Sequence, residues 1–109
     1  MKYTVFFVLW LFAIAMPIAA EAKNYDLIIS RENINITGES LQKVMVNGTL
    51  PAPTLRFKRG EEAVVHVTNK MNVPTSIHWH GLIVPGDMDG VAGLNGFQDI
   101  QPGKTFTII

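Results

Sequence analysis

From Pro17 onward, no stretch of this chain keeps apolar residues at helical spacing. Short β-branched or alternating runs are cut at brief intervals by Gly, Pro and Asn. A chain so patterned buries its apolar side chains by pairing strands, so the fold class is all-β, a sandwich or barrel. "YDLIIS" (Tyr25 to Ser30) is the first run, and "SLQKVMVNG" leads into the turn pair Asn47-Gly48. "PAPTLRFKRG" sets Leu55 and Phe57 on one face and Arg56 and Lys58 on the other. "EEAVVHVTN" does the same with Ala63, Val65 and Val67, "SIHWHGLIV" is a fifth run, and "KTFTII" a sixth that reaches Ile109 without a turn or polar tail. There is no internal repeat and no low-complexity segment.

The residues before Pro17 read differently. Lys2 gives a positive start, Val5 to Met16 are unbroken apolar sequence, and small residues follow. This is the layout of a secretory signal peptide, too short for a comfortable bilayer span of about 20 residues. An uncleaved membrane anchor is the alternative. Ala20-Glu21-Ala22 fits the small-x-small rule. Cleavage is therefore expected after Ala22, with Ala20 as the competitor, giving a signal peptide over 1–22 and one domain over 23–109. No twin arginine lies near the start, so the general secretory route to a periplasm or the outside is expected.

The 109 residues carry a formal net charge of zero, which calls for neither nucleic acid nor an anionic membrane surface as partner. Export permits disulfides, yet the chain has no cysteine. That excludes thiol catalysis and a blue-copper centre within this sequence, since both need a thiolate. The sequons at Asn35 and Asn47 matter only in a host that glycosylates secreted proteins.

The chemistry concentrates in "TSIHWHGLIVPGDMDGV", Thr75 to Val91. On a strand, His78 and His80 share one face, and Trp79 joins Ile77 and Ile83 on the core side. Two imidazoles side by side suit a borderline metal such as copper or zinc. Alternate strand positions are far apart for one tight site, but they can serve two adjacent ions, one each. Ordinary half-buried histidines remain the competing reading, weakened because apolar and turn-forming neighbours offer them no partner. His66 falls on the opposite strand face from Ala63, Val65 and Val67, so it reads as a solvated-face histidine. Asp87 and Asp89 in "PGDMDG" read as turn chemistry, Met71 and Met88 as gap fillers, and Arg56, Lys58 and Arg59 as a solvated strand end.

"NGTLPAPTLRFKRGEEAVVHVTNKM", "TSIHWHGLIVP", "MDGV" and "QPGKTFT" together resemble the first cupredoxin (plastocyanin-like) domain of multicopper oxidases, most closely the periplasmic copper-resistance branch. The resemblance spans nearly all of Tyr25 to Ile109. It implies a cupredoxin-like Greek-key β-sandwich, incomplete at the C-terminus. It also implies copper as cofactor, and substrate oxidation coupled to reduction of dioxygen to water. It assigns His78 to a type 2 copper and His80 to a type 3 copper, each as neutral imidazole with an outside acceptor fixing its tautomer. "QPGKTF" matches the turn and strand that lead to the family's second His-x-His motif, which does not occur before Ile109. "GLNGFQDIQPG" departs from relatives, which commonly have Pro after "GV" and Gly in place of Asp99.

The chain therefore reads as the N-terminal piece of a larger oxidase, or a relic of one, inactive alone, with the remaining domains supplying the other ligands. Its unpaired strand edges would make it aggregation-prone in isolation. The alternatives are an exported copper-sequestering module without turnover, and a structural sandwich with no metal role. A barrel-type zinc hydrolase would need alternating helices that this chain lacks.

Overall fold

The computed structural model describes residues 21–109. The expected signal peptide therefore falls on residues that lie, but for its last two, outside the described ones. Four strands form one open sheet: β1 (Lys23–Asn35), β2 (Ser40–Val46), β3 (Ala63–Asn69) and β4 (Thr105–Ile108). Their order is β2-β1-β3-β4, with β1 antiparallel to β2 and parallel to β3, and β3 antiparallel to β4. The all-β reading holds, and among the described residues the only helical element is a single 3-10 turn, Gly86–Met88. No helix among the described residues is long and apolar enough to cross a membrane.

Alternation decides which face is covered. Leu27 and Ile29 on β1, Val65 and Val67 on β3, and Ile108 on β4 point to one side and are buried. Tyr25 and Phe106 pack partly buried at the edges of this cluster. The other face is polar around β3. His66 Nε2 faces Asn24 Oδ1 at 3.2 Å, and Thr107 Oγ1 lies 3.0 Å from Nδ1. The amide oxygen only accepts, so Nε2 carries the proton and Nδ1 accepts the Thr107 hydroxyl. His66 thus sits where its strand parity put it, with both ring nitrogens occupied by neighbouring strands.

Two expected strands are not strands. Pro51 to Phe57 forms no ladder. Pro51 and Pro53 have no N–H to give one. Its alternation survives: Leu55 packs against the core, Phe57 meets Tyr25 edge-on at 5.1 Å, and the Tyr25 hydroxyl donates to the Arg56 carbonyl at 2.6 Å. The run "SIHWHGLIV" is also irregular, and Thr75 just before it forms an isolated bridge with Ile100. It lies in the excursion over 70–104 between β3 and β4. That is far longer than the roughly 12–15 residues beyond which a structureless connection is unusual and commonly functional.

Asn69 anchors this excursion at both ends. It is fully buried, and its Nδ2 donates to the carbonyls of Val73 and Ile100, both at 2.8 Å. Its Oδ1 accepts the N–H of Met71 at 2.9 Å. Phe97 and Ile100 then drop into the core, Phe97 packing edge-on against Phe106 at 5.2 Å. The segment with the histidines is thereby laid across the buried face of the sheet.

Candidate metal centre

Ile77 and Trp79 turn inward from this segment and pack against the core, leaving the imidazoles of His78 and His80 on the outer side. The ring centroids lie 5.7 Å apart, with the rings nearly perpendicular at 82°. The side-by-side placement expected for a strand is thus reached without one. Ile83 is a correction: it is fully exposed and not on the core side with Trp79. The N–H of Leu82 bonds back to the Trp79 carbonyl at 3.2 Å, and Gly81 adopts φ +78°. That reversal ends the two-residue period before Ile83 is reached.

The loop that follows returns to His78. The imidazole Nδ1 lies 2.8 Å from the backbone carbonyl of Asp89 and 3.3 Å from its carboxylate Oδ1. A carbonyl only accepts, so Nδ1 is the protonated nitrogen and Nε2 keeps its lone pair. An imidazole held this way is set up to bind a metal through Nε2. Gly90 makes the close approach feasible. It is buried at φ +73°, and a Cβ there would fall 1.8 Å from the Ile77 carbonyl oxygen. Only glycine permits both the backbone conformation and the contact.

Asp89 is the residue that sequence reasoning assigned to a turn. It does follow the 3-10 turn, its N–H bonding to the Gly86 carbonyl at 3.4 Å. Its further part is to present an acceptor to His78. The signal available was the "MDG" element that follows "HWHG" a few residues on. His66 stays apart from the pair, on the other face of the sheet. Asp87 is exposed and Met88 packs against the core. Among the described residues no three His, Cys, Asp or Glu side chains converge on one point.

Beside the pair, the indole of Trp79 lines an apolar groove of about 440 Å³ with Phe57, Leu82, Val84, Ile108 and Ile109. Its Nε1 is buried and has no hydrogen-bond partner among the described residues.

A multicopper oxidase family model matches residues 28–109. The chain is 44% identical over 96 residues to copper resistance protein A of Escherichia coli, covering 86% of this chain and 16% of that protein. The multicopper oxidase MmcO of Mycobacterium tuberculosis is 39% identical over 93 residues, or 85% of this chain and 18% of that protein. The crystal structure of a multi-copper oxidase from Pseudomonas thermotolerans matches the fold with a TM-score of 0.76 at 32% identity, over 82% of this chain and 22% of that one. The open sheet is cupredoxin-like by this likeness. The chain spans about a sixth of the length of these curated relatives.

Proposed function

The chain belongs to the multicopper oxidase family, and on that premise we propose that it is the N-terminal, copper-binding part of such an enzyme. His78 is the ligand of a type 2 copper and His80 of a type 3 copper. The observation that carries this reading is the bond from His78 Nδ1 to the Asp89 carbonyl, which frees Nε2 beside a second imidazole. The donor set fits copper, for which neutral imidazole is a favoured ligand. Bound copper would supply the one-electron redox chemistry by which substrate oxidation is coupled to reduction of dioxygen to water.

The residues of this chain have narrower tasks. His78 and His80 donate nitrogen lone pairs. Asp89 fixes the tautomer and aim of His78. Trp79 and Ile77 hold the segment down on the core, so the imidazoles keep their separation. Two histidines do not complete a three-copper cluster, and this chain has no cysteine for a type 1 centre. The remaining cupredoxin domains of the larger protein supply those ligands, and activity belongs to that protein. The first residues direct export to a periplasm or the outside. Copper ions and dioxygen are the small partners.

The test is the intact mass and copper content of the native exported polypeptide. A mass several-fold above that of Lys23 to Ile109, with several coppers per chain, is the expected result. A mass matching this stretch alone, with one tightly held copper, would overturn the oxidase reading in favour of a sequestering module.

A further inference from the structure

Two Asn-Gly pairs sit at the tips of turns with the same backbone. At Asn47-Gly48 the N–H of Thr49 bonds to the Val46 carbonyl at 3.0 Å, with φ +51° and +68° at the central residues. At Asn95-Gly96 the N–H of Phe97 bonds to the Leu94 carbonyl at 3.0 Å, with φ +51° and +78°. Positive φ at both central residues marks the type I′ turn in each case. The side chains differ. Asn47 Oδ1 accepts the N–H of Ile28 at 2.7 Å, and its Nδ2 donates to the Asp26 carbonyl at 2.9 Å. The amide is thereby clamped to β1. Asn95 is exposed, and among the described residues no hydrogen bond holds its amide. The amide lies against Gly86, where an added Cβ would lie 2.7 Å from Asn95 Nδ2.

We infer that Asn95 is a site of spontaneous deamidation in the folded chain, and that Asn47, although followed by the same residue, is protected. The backbone nitrogen of Gly96 loses its proton and attacks Asn95 Cγ. The bond from Cγ to the amide nitrogen breaks, and that nitrogen leaves as ammonia. Water then opens the five-membered imide at either carbonyl, giving aspartate or isoaspartate. Glycine in the following position leaves the attacking nitrogen unshielded, since it has no Cβ. Both turns must open for the attack, but Asn47 must also release two hydrogen bonds. Two bonds of ordinary strength lower its reactive population on the order of thirty-fold. The product carboxylate at residue 95 abuts Gly86, the first residue of the turn that delivers Asp89 to His78. The inference itself is independent of any metal.

The experiment is to hold the full chain at neutral pH and 37 °C, sample over time, and quantify aspartate and isoaspartate at both positions by peptide mass mapping. A parallel sample is kept in denaturant. In the folded chain, residue 95 should convert roughly thirty-fold faster than residue 47, and in denaturant the two should convert at comparable rates. Equal or reversed rates in the folded chain would overturn the inference. So would a ratio that persists in denaturant, or a folded chain inert at both sites.

Discussion

His78 Nδ1 donates to the backbone carbonyl of Asp89 at 2.8 Å, and the Asp89 carboxylate stands 3.3 Å from the same nitrogen. The two residues lie in the same excursion between β3 and β4, brought together because Gly90 lets the chain pass against the Ile77 carbonyl. One glycine thus connects backbone packing to the protonation pattern of a candidate ligand.

Replacing Gly90 by Ala should therefore damage both. The positive φ alone costs about 1–3 kcal/mol for a residue with a Cβ, and the contact with Ile77 forces the loop away. A lowered denaturation midpoint together with reduced copper per polypeptide is the expected outcome. A variant of normal stability and copper content would show that the loop does not position His78.

Replacing Asp89 by Ala should behave differently. The carbonyl that accepts from Nδ1 belongs to the backbone and remains in place. Copper content of the purified protein should stay close to that of the parent. Loss of copper would mean that the carboxylate, and not the carbonyl, holds the imidazole.

Asn69→Ala should be costly despite the small change in size. It leaves the buried N–H of Met71 and the half-buried carbonyl of Val73 without a partner, while the Ile100 carbonyl keeps only the Thr75 N–H. Each orphaned group costs about 1–3 kcal/mol. Denaturant unfolding should report a loss of several kcal/mol, against about 2–5 kcal/mol for Leu27→Ala in the core. A change under about 0.5 kcal/mol, typical of a surface site, would show that the excursion is not anchored there.

Ile83→Ser tests the corrected face assignment. A fully exposed side chain away from the core should change the stability of this fold by no more than about 0.5 kcal/mol, whereas Ile77→Ala, half-buried against the core, should cost about 1–3 kcal/mol. Equal losses would return Ile83 to the core.

Much of the sheet was legible because its signals are local. The alternation in "EEAVVHVTN" and the turn at Asn47-Gly48 carry their meaning within a few residues, and β3 and the end of β2 follow them. "PAPTLRFKRG" misled because alternation reports which side is buried, not whether a partner strand is present. Leu55 and Phe57 keep their side while Pro51 and Pro53 withhold the N–H groups of a ladder. In "SIHWHGLIV" the reversal at Gly81 broke a period that the apolar residues alone continued. The two histidines were legible as a pair by spacing. The role of Asp89 was not, because it depends on a loop returning across the chain and on a backbone atom that every residue type carries.

The most direct measurement is copper per polypeptide in the larger protein carrying His66→Ala, His78→Ala or His80→Ala singly. The His78 and His80 variants should lose cluster copper and oxidase activity. The His66 variant should retain both, since the ring nitrogens of His66 are spent on Asn24 and Thr107. Full copper content and turnover in the His78 and His80 variants would contradict their proposed role as ligands.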